Sequence, residues 1–435
     1  MATLRLHLLG PKLSKWMIIA LSAAILPLCF ASVTLSQSSD NDNPNPLELT
    51  APDPLLPSLS PEEPLNPSER SRLNQALDEL NAEAQAEFKA GNQSKAFDIW
   101  YREIRLRRVL GDPVAEVQTL GRVGGVAWNE NNKQSVQLIT ARLEEIQQEN
   151  EAEDSINLPL LKALGKAYEQ IRVPGQALTV YEQILADARN QDDMATVEAT
   201  LKTMGELHMA WFDYPKAAET YEELLAQAQS DVPLEPLRDV PWPLGHATRM
   251  EPLRERINEQ EQVAYLQQLA YIYDQDQQPD QALPKKQQLV DIYLNQGNDT
   301  QIPALKIAIA SDYNALNQPE KASQTYQEAY ALAWSLQQFA HASEALQPLA
   351  ELYLTSQQPE FALQVYEVLL QVEQKSYNYY GLMNTYDKIG QIYLDMNNYP
   401  QALAAFQKGL DLAESLQHRE AYFVNKIQLV NRQNS

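Results

Sequence analysis

The sequence contains very little of the side-chain chemistry on which catalytic and metal-binding sites depend. Its 435 residues include one cysteine, Cys29, and five histidines. A single thiol excludes a disulfide framework and a zinc site built from several cysteines. The histidines form no catalytic constellation, and His208 stands at a tyrosine position of the repeat described below, where we expect a packed histidine. The sequence therefore predicts no enzyme, no metal site and no cofactor.

Glycine and strand-forming runs are also scarce. The chain has 14 glycines, and no run of valine, isoleucine and threonine bounded by turn residues marks a strand. Alanine, leucine, glutamine, glutamate and tyrosine are plentiful, and most of these are good helix formers. The composition predicts an all-α fold.

Charge is absent from one long stretch near the N-terminus. Arg5, Lys12 and Lys15 precede an apolar segment, and no charged residue follows until Asp40. This pattern is typical of an export signal, and residues 1–39 are also about long enough to span a bilayer. Three interpretations stay open: cleavage after Ala31, a retained membrane anchor, and lipid attachment at Cys29. Each places the rest of the chain in the periplasm or another extracytoplasmic space, free or tethered to the membrane.

The remaining chain is strongly acidic. Its formal charge is -24, and removing residues 1–39 leaves 31 basic and 58 acidic residues, a formal charge of -27. Such a surface repels phosphate backbones. Nucleic acid is therefore excluded as a partner.

A proline-rich segment separates the apolar N-terminus from the helical part. Residues 40–65 are polar and are interrupted by proline at short intervals. We predict a disordered linker with polyproline character. It ends where Asn66, Pro67 and Glu69 give the pattern of a helix N-terminus, with a capping residue, a proline at the first position and a capping-box acid.

Beyond Asn66 one set of positions recurs about every 40 residues, in eight units. A marker alanine recurs at 96, 177, 217, 282, 322, 362 and 402, with Val136 in the remaining unit. Twelve residues before each marker is a small residue: Ala84, Gly124, Gly165, Gly205, Ala270, Ala310, Ala350 and Gly390. Four residues after it, six units carry an aromatic ring: Trp100, Tyr181, Tyr221, Tyr326, Tyr366 and Phe406. This spacing predicts two antiparallel helices per unit, with a ring of the second helix filling the space beside the small residue of the first.

These residues resemble the tetratricopeptide repeat family, as in "LGKAYEQIRVPGQALTVY" and "IGQIYLDMNNYPQALAAF". The step of about 40 residues is longer than the usual 34 of the family and resembles its longer-helix members. The resemblance implies a right-handed superhelical solenoid over residues 66–435, with eight helix pairs and a capping helix at about 419–433. We expect an elongated monomer.

One step between markers is 25 residues longer than the others. The extra residues, 231–256, include "DVPWPLGHATR". The prolines predict a loop to about Glu251, with a helix resuming near Pro252. Trp242 between two prolines is expected to dock, either as a clasp on the neighbouring units or as a lid that carries Arg249 and Arg254 to a partner.

In this family the first helix of each unit faces the inside of the superhelix. Counting the small residue as position 8 and the marker alanine as position 20, the resemblance implies an inner stripe at positions 2, 5, 6, 9, 12 and 13. In units two to four these positions include Gly121, Arg122, Gly125, Trp128, Lys162, Lys166 and Lys202. The cations indicate either a groove that binds acidic peptide segments or lysines on a solvated face. The two glycines indicate either close helix packing or a groove floor.

The sequence therefore predicts a non-enzymatic, extracytoplasmic scaffold that holds segments of partner proteins in a concave groove. The resemblance also allows a role in the assembly or maturation of membrane complexes. A regulatory solenoid that senses a small peptide is the alternative.

Overall fold

The computed structural model describes residues 45–48, 53–56, 65–152, 157–230 and 247–434, and for 247–258 it describes the backbone alone. Within these ranges the chain forms seventeen α-helices and no strand. The helices are α1 (Pro67–Lys89), α2 (Gln93–Val109), α3 (Pro113–Asn129), α4 (Lys133–Glu151), α5 (Leu158–Gln170), α6 (Pro174–Asn190), α7 (Met194–Ala210), α8 (Tyr214–Gln229), α9 (Ala247–Gln275), α10 (Pro279–Asn295), α11 (Ile302–Ala315), α12 (Pro319–Ser335), α13 (Phe339–Thr355), α14 (Pro359–Lys375), α15 (Tyr379–Asp395), α16 (Tyr399–Leu416) and α17 (Glu420–Gln433).

Tight turns of constant length connect most of the helices. From α9 onward, a residue with left-handed φ lies at 277, 297, 317, 337, 357, 377, 397 and 417, which is every twentieth residue. A left-handed residue directly after a helix lets its N–H and the next one bond back to the last carbonyls, and this ends the helix. Each 40-residue unit is therefore two helices with one short turn after each.

The helices stack in chain order and form an all-α solenoid, as predicted. Odd-numbered helices up to α15 are the first helices of the eight units, even-numbered helices are the second, and α17 follows the last pair. Each helix packs against the next, except that α5 packs mainly on α3 and only slightly on α4. Gly121 and Gly124 of α3 allow this approach, because a Cβ on Gly121 would lie 2.9 Å from Ala167 and one on Gly124 would lie 2.3 Å from Ile171.

The predicted pairing of small residues with rings is confirmed. All six rings are buried. A Cβ on Gly165 or Gly205 would lie 2.8 Å from the ring of Tyr181 or Tyr221, and a Cβ on Gly390 would lie 2.7 Å from Phe406. In these three units a glycine is therefore required by the ring opposite it, and the ring closes the core of its own unit.

The two ends of the solenoid begin and finish as predicted. Asn66 accepts hydrogen bonds from the backbone of Ser68 and Glu69, and Glu69 accepts one from the N–H of Asn66, which makes a complete capping box. At the other end, α17 buries Phe423 and Val430 against the last pair. The six prolines that open second helices lie in their first turns, where no N–H is needed.

Two turns inside the segment predicted as a disordered linker are ordered. In the first turn, at 45–48, Leu47 is buried in the main core. In the second, at 53–56, Asp53 accepts two hydrogen bonds of 2.7 Å from the guanidinium of Arg102 on α2. A buried leucine and a bidentate ion pair offset the entropy lost on ordering these turns. For the rest of 40–65 the linker stays a prediction.

The helix after the long step begins earlier than expected. It begins at Ala247, not near Pro252, and α8 ends at Gln229. Pro252 therefore lies inside α9, which loses one backbone hydrogen bond because proline has no N–H. None of the described helices is both long and apolar enough to cross a membrane. The apolar N-terminal segment 1–39 lies outside the described residues.

Candidate functional site

The predicted cations of the inner stripe lie on α3, α5 and α7, and three of them already have carboxylate partners. Arg122 forms an ion pair of 2.7 Å with Glu103, a side chain with no exposed surface, and donates a second hydrogen bond of 2.6 Å to Asn81. These bonds join α3 to α2 and α1. Arg122 therefore stabilises the solenoid, whatever else it contacts.

Lys202 is also engaged by its neighbours. It forms an ion pair with Glu198 one turn earlier and lies 5.6 Å from the ring centre of Tyr265 on α9. Burial is the largest single influence and opposes the charged form, but the hydrogen bonds and charge interactions with Glu198 and Tyr265 together outweigh it and raise the pKa of Lys202 above its ordinary value. The amine stays charged, and its charge is largely balanced inside the protein.

Lys162 and Lys166 are the exposed cations of the stripe. Lys166 pairs with Glu169 at 2.7 Å on the same helix, and 66% of its side chain is exposed. Hydrogen bonds from Thr196 lower the pKa of Asp193, and the nearby charge of Lys162 adds to that effect. Exposed pairs of this kind contribute little to stability, so Lys166 can exchange Glu169 for a ligand, and the exposed amine of Lys162 can also contact one.

The other predicted site residues fall into three groups. The space beside Gly121 is occupied by residues of α5 that pack against it. A Cβ on Gly125, in contrast, would meet its nearest neighbour, the carbonyl oxygen of Gln170, at an ordinary contact distance of 3.5 Å. Trp128 is 46% exposed. Trp242 lies outside the described residues, and Arg249 and Arg254 lie on the part of α9 whose side chains are not described, so the clasp and lid interpretations stay predictions.

A cleft that the sequence analysis missed lies between α13, α14 and α15. Its volume is about 420 Å³, and we call it the α13–α15 cleft. The polar and charged side chains that line it are those of Gln347, Glu351, Glu373, Asn384, Thr385, Asp387, Lys388 and Arg419. Five of them are positions 2, 5, 6 and 9 of units seven and eight, the positions predicted to form the inner stripe. The stripe positions of neighbouring first helices therefore meet around an open space.

The rim of this cleft is held by two ion pairs. Lys388 lies 3.4 Å from Glu351 of the preceding first helix. Arg419, just before α17, lies 3.0 Å from Asp387 and donates a hydrogen bond of 2.9 Å to Asn384. Both signs of charge are therefore present at the rim, and the capping helix helps to fix its geometry.

A buried acid lies at the floor. Glu373 has no exposed surface, and it accepts hydrogen bonds from Thr385 at 2.9 Å and from Ser343 at 3.5 Å. Burial raises the pKa of Glu373 to about 7, although these hydrogen bonds oppose the shift. Near neutral pH this carboxyl exchanges readily between its two protonation states.

A sequence signal for the cleft exists in the repeat itself. The position of Glu373 is alanine in four other second helices, at 188, 228, 333 and 413. Gly381 is likewise the one glycine at its position among the eight units, and a Cβ there would lie 2.5 Å from an oxygen of Glu373. Comparing equivalent positions across units would have identified both substitutions.

Comparison with known proteins agrees with the repeat interpretation. The model of the tetratricopeptide repeat family matches residues 341–415, which include α13 to α15 and most of α16. No curated protein matches the chain by sequence.

Several solved structures share part of the helical arrangement at low identity. BtubC (BKLC) from P. vanneervenii is 18% identical, with 56% of this chain and 92% of that chain covered and a TM-score of 0.35. A putative kinesin light chain with TPR-like repeats from Podosopora anserina is 16% identical, with 50% and 97% covered and a TM-score of 0.35. Aspartyl phosphate phosphatase F from Bacillus subtilis is 14% identical, with 72% and 78% covered and a TM-score of 0.37.

The family match, the paired helices and the packing of small residues against rings agree with one another. Residues 341–415 therefore match the tetratricopeptide repeat family by sequence, and they lie within an all-α solenoid of similar helix pairs.

Proposed function

We propose that this protein is a non-enzymatic scaffold that holds extended or helical segments of partner proteins along the inner stripe of its first helices. The observation that carries the proposal is the α13–α15 cleft, where stripe positions of two neighbouring first helices line an open space of about 420 Å³. Side chains at these positions are polar or charged and do not belong to the core clusters. They are available for recognition.

The stripe offers several kinds of contact to a protein segment. Exposed amines at Lys162 and Lys166 and the exposed indole of Trp128 lie in units two and three, and the mixed charges of the cleft lie in units seven and eight. A long surface with separated polar contacts suits an extended chain that crosses many repeats.

We further propose that the scaffold works outside the cytoplasm, in the assembly or maturation of membrane complexes. The support is the sequence of residues 1–39, which reads as an export signal or anchor, and the absence of any catalytic constellation in the sequence. Linker residues between that segment and α1 would hold the solenoid near a membrane surface.

Affinity capture from native membranes, with the full chain as bait and a chemical crosslinker, tests the proposal. The double variant Lys162→Glu/Lys166→Glu should capture about fivefold less partner, because reversing two charges in a complementary groove weakens association. The matched control is Lys216→Glu/Lys375→Glu, which reverses two exposed lysines on second helices. It should capture as much partner as the wild type.

Equal capture by both double variants would show that the stripe of units two to four is solvated surface. Failure to capture any stoichiometric protein would contradict the scaffold itself. Saturable binding of short peptides with a large change of shape would instead support the sensor interpretation.

A further inference from the structure

The α13–α15 cleft has an unbalanced charge at its floor. Three carboxylates line it, those of Glu351, Glu373 and Asp387, and two cations, Lys388 and Arg419. Each cation is already bonded to a rim carboxylate. Among the described residues, Glu373 forms no ion pair, and its bonds come from the neutral donors Thr385 and Ser343.

Such an arrangement is unfavourable unless something compensates for it. Placing a carboxylate where water cannot reach it costs several kcal/mol unless a cation or strong hydrogen bonds replace the lost hydration. Two other buried acids of this solenoid have cationic partners: Glu103 pairs with Arg107 and Arg122, and Asp312 pairs with Lys286. Glu373 differs from these two acids because it lines a cleft and has no cationic partner among the described residues.

Room for the carboxylate of Glu373 at the wall of the cleft is made by a second substitution. Gly381 replaces a residue with a side chain at the equivalent position of every other unit, and any Cβ there would contact Glu373. Alanine would be the default at position 373, as in four other second helices. The buried acid and the glycine that makes room beside it therefore occur together in one unit of eight.

We propose that the α13–α15 cleft binds one basic side chain, lysine or arginine, of an extended partner segment, with Glu373 beneath the bound cation. The inference rests on the proposed scaffold function and gives it a chemical specificity. Glu373 is itself shielded from water, and attraction between a buried carboxylate and a nearby cation is stronger than between the same charges in solution. The rim pairs then orient the backbone of the segment on either side.

A pair of small peptides tests the proposal on the full chain. The probes are acetyl-Ala-Arg-Ala-amide and the same peptide with citrulline, which has the shape of arginine without its charge. Ligand-observed NMR titration gives both affinities. We expect the arginine peptide to bind at least about fivefold tighter than the citrulline peptide, since the two differ mainly in the charge that faces Glu373.

Three variants assign that preference to the cleft. Glu373→Gln should reduce the preference to less than about twofold. Glu414→Gln removes one exposed carboxylate of α16 and the same net charge, so it should keep the full preference and controls for attraction by the acidic body. Lys388→Gln removes a competing cation from the exposed rim and should tighten arginine binding. This third variant does not alter the buried floor, so the test holds even if Glu373→Gln folds poorly.

Equal binding of both peptides by the wild type would overturn the proposal, as would an arginine preference that survives in Glu373→Gln. Weaker arginine binding by Lys388→Gln would also overturn it, because a lysine that competes with the bound arginine cannot be needed for that binding. The outcomes distinguish failure of this proposal from failure of the scaffold. If partner capture persists in Glu373→Gln, the scaffold function does not require this subsite. If the arginine peptide binds but no protein is captured, the subsite is supported and the scaffold function is not.

Discussion

At the scale of single residues, Arg122 combines a position on the inner stripe with a structural task. Its guanidinium bonds Glu103, which is fully buried between α2 and α3, and Asn81 of α1. Without Arg122 the carboxylate of Glu103 would keep one cationic partner, Arg107 at 3.0 Å. A charged residue predicted from its repeat position to bind a ligand can therefore be partly occupied within the fold.

We expect Arg122→Met to lower the free energy of unfolding by about 2 kcal/mol, less than for a fully unpaired buried charge because Arg107 remains. Lys166→Met is the matched control, since it removes an exposed pair on the same stripe and should change stability by less than about 0.5 kcal/mol. Urea denaturation followed by circular dichroism measures both. Similar losses in the two variants would contradict the structural role of Arg122.

Glu373 gives the stability of the protein a distinct pH dependence. Its pKa is raised to about 7 in the folded chain, from 4.5 when exposed. The folded state therefore binds more protons than the unfolded state between these values, and this contribution to stability is lost as pH rises through the same window. Glu351, Asp387 and Lys388 line the same cleft, and both signs are represented among them.

We expect Glu373→Gln to become more stable than the wild type as pH rises from 5 to 8, by about 2 to 3 kcal/mol at most, with no further gain above pH 8. Denaturation at several pH values measures this difference, and Glu414→Gln serves as the control with a flat difference. If the difference in the free energy of unfolding between the wild type and Glu373→Gln does not change with pH, the raised pKa is wrong.

At the scale of helices, glycines at similar places in the first helices differ in how closely neighbouring side chains pack against them. A Cβ on Gly390 would lie 2.7 Å from the buried ring of Phe406, whereas a Cβ on Gly125 would find its nearest atom at 3.5 Å. Both glycines lie inside first helices, where alanine is intrinsically favoured by about 1 kcal/mol. Packing alone therefore separates the two.

We expect Gly390→Ala to destabilise the protein by about 1 to 3 kcal/mol, because the ring has no space to retreat in a filled core. Gly125→Ala should stabilise it by up to about 1 kcal/mol. Thermal denaturation of the two variants checks the opposite signs. If both substitutions stabilise the protein, the close packing of Gly390 on Phe406 is wrong.

Most helices could be predicted from the sequence because their determinants are local. Marker alanines, small residues and opening prolines recur at fixed spacing, and each acts on a neighbour within one unit. The ordered turns at 45–48 and 53–56 could not be predicted in this way, since Asp53 pairs with Arg102, 49 residues further on. The start of α9 at Ala247 differs from the prediction because the prediction places the helix boundary at Pro252, whereas this proline lies inside the helix.

The sequence analysis gave the stripe positions but did not identify the α13–α15 cleft. The same positions in units seven and eight line that cleft, whereas the lysines of the stripe directed the site prediction to units two to four. The partners of each cation in the fold decide which charges are free: Glu103 of α2 engages Arg122, and Glu198 of the same helix and Tyr265 of α9 engage Lys202. The distinctive residue of the cleft is Glu373, and comparison with the alanine at the equivalent position of four other units identifies it.

At the scale of the whole molecule, the solenoid is acidic, and many of its lysines and arginines whose side chains the structure describes form ion pairs. The chain carries a formal charge of -24. In the proposed binding mode, a partner segment that crosses several units meets exposed lysines in unit three and, in units seven and eight, a cleft proposed to bind a basic side chain. Such a pattern of charges would select one direction for the bound segment and disfavour the reverse.

The claim on which the account depends is that partners lie along the first helices, and the positions of crosslinks test it most directly. With an amine-reactive crosslinker and a captured partner, mass spectrometry reports which lysines of the scaffold are joined to it. Lys162, Lys166, Lys202 and Lys388 belong to first helices, and Lys216, Lys321, Lys375 and Lys408 belong to second helices. The account predicts that crosslinks concentrate on the first set. Crosslinks concentrated on the second set, at comparable reactivity of the free chain, would contradict it.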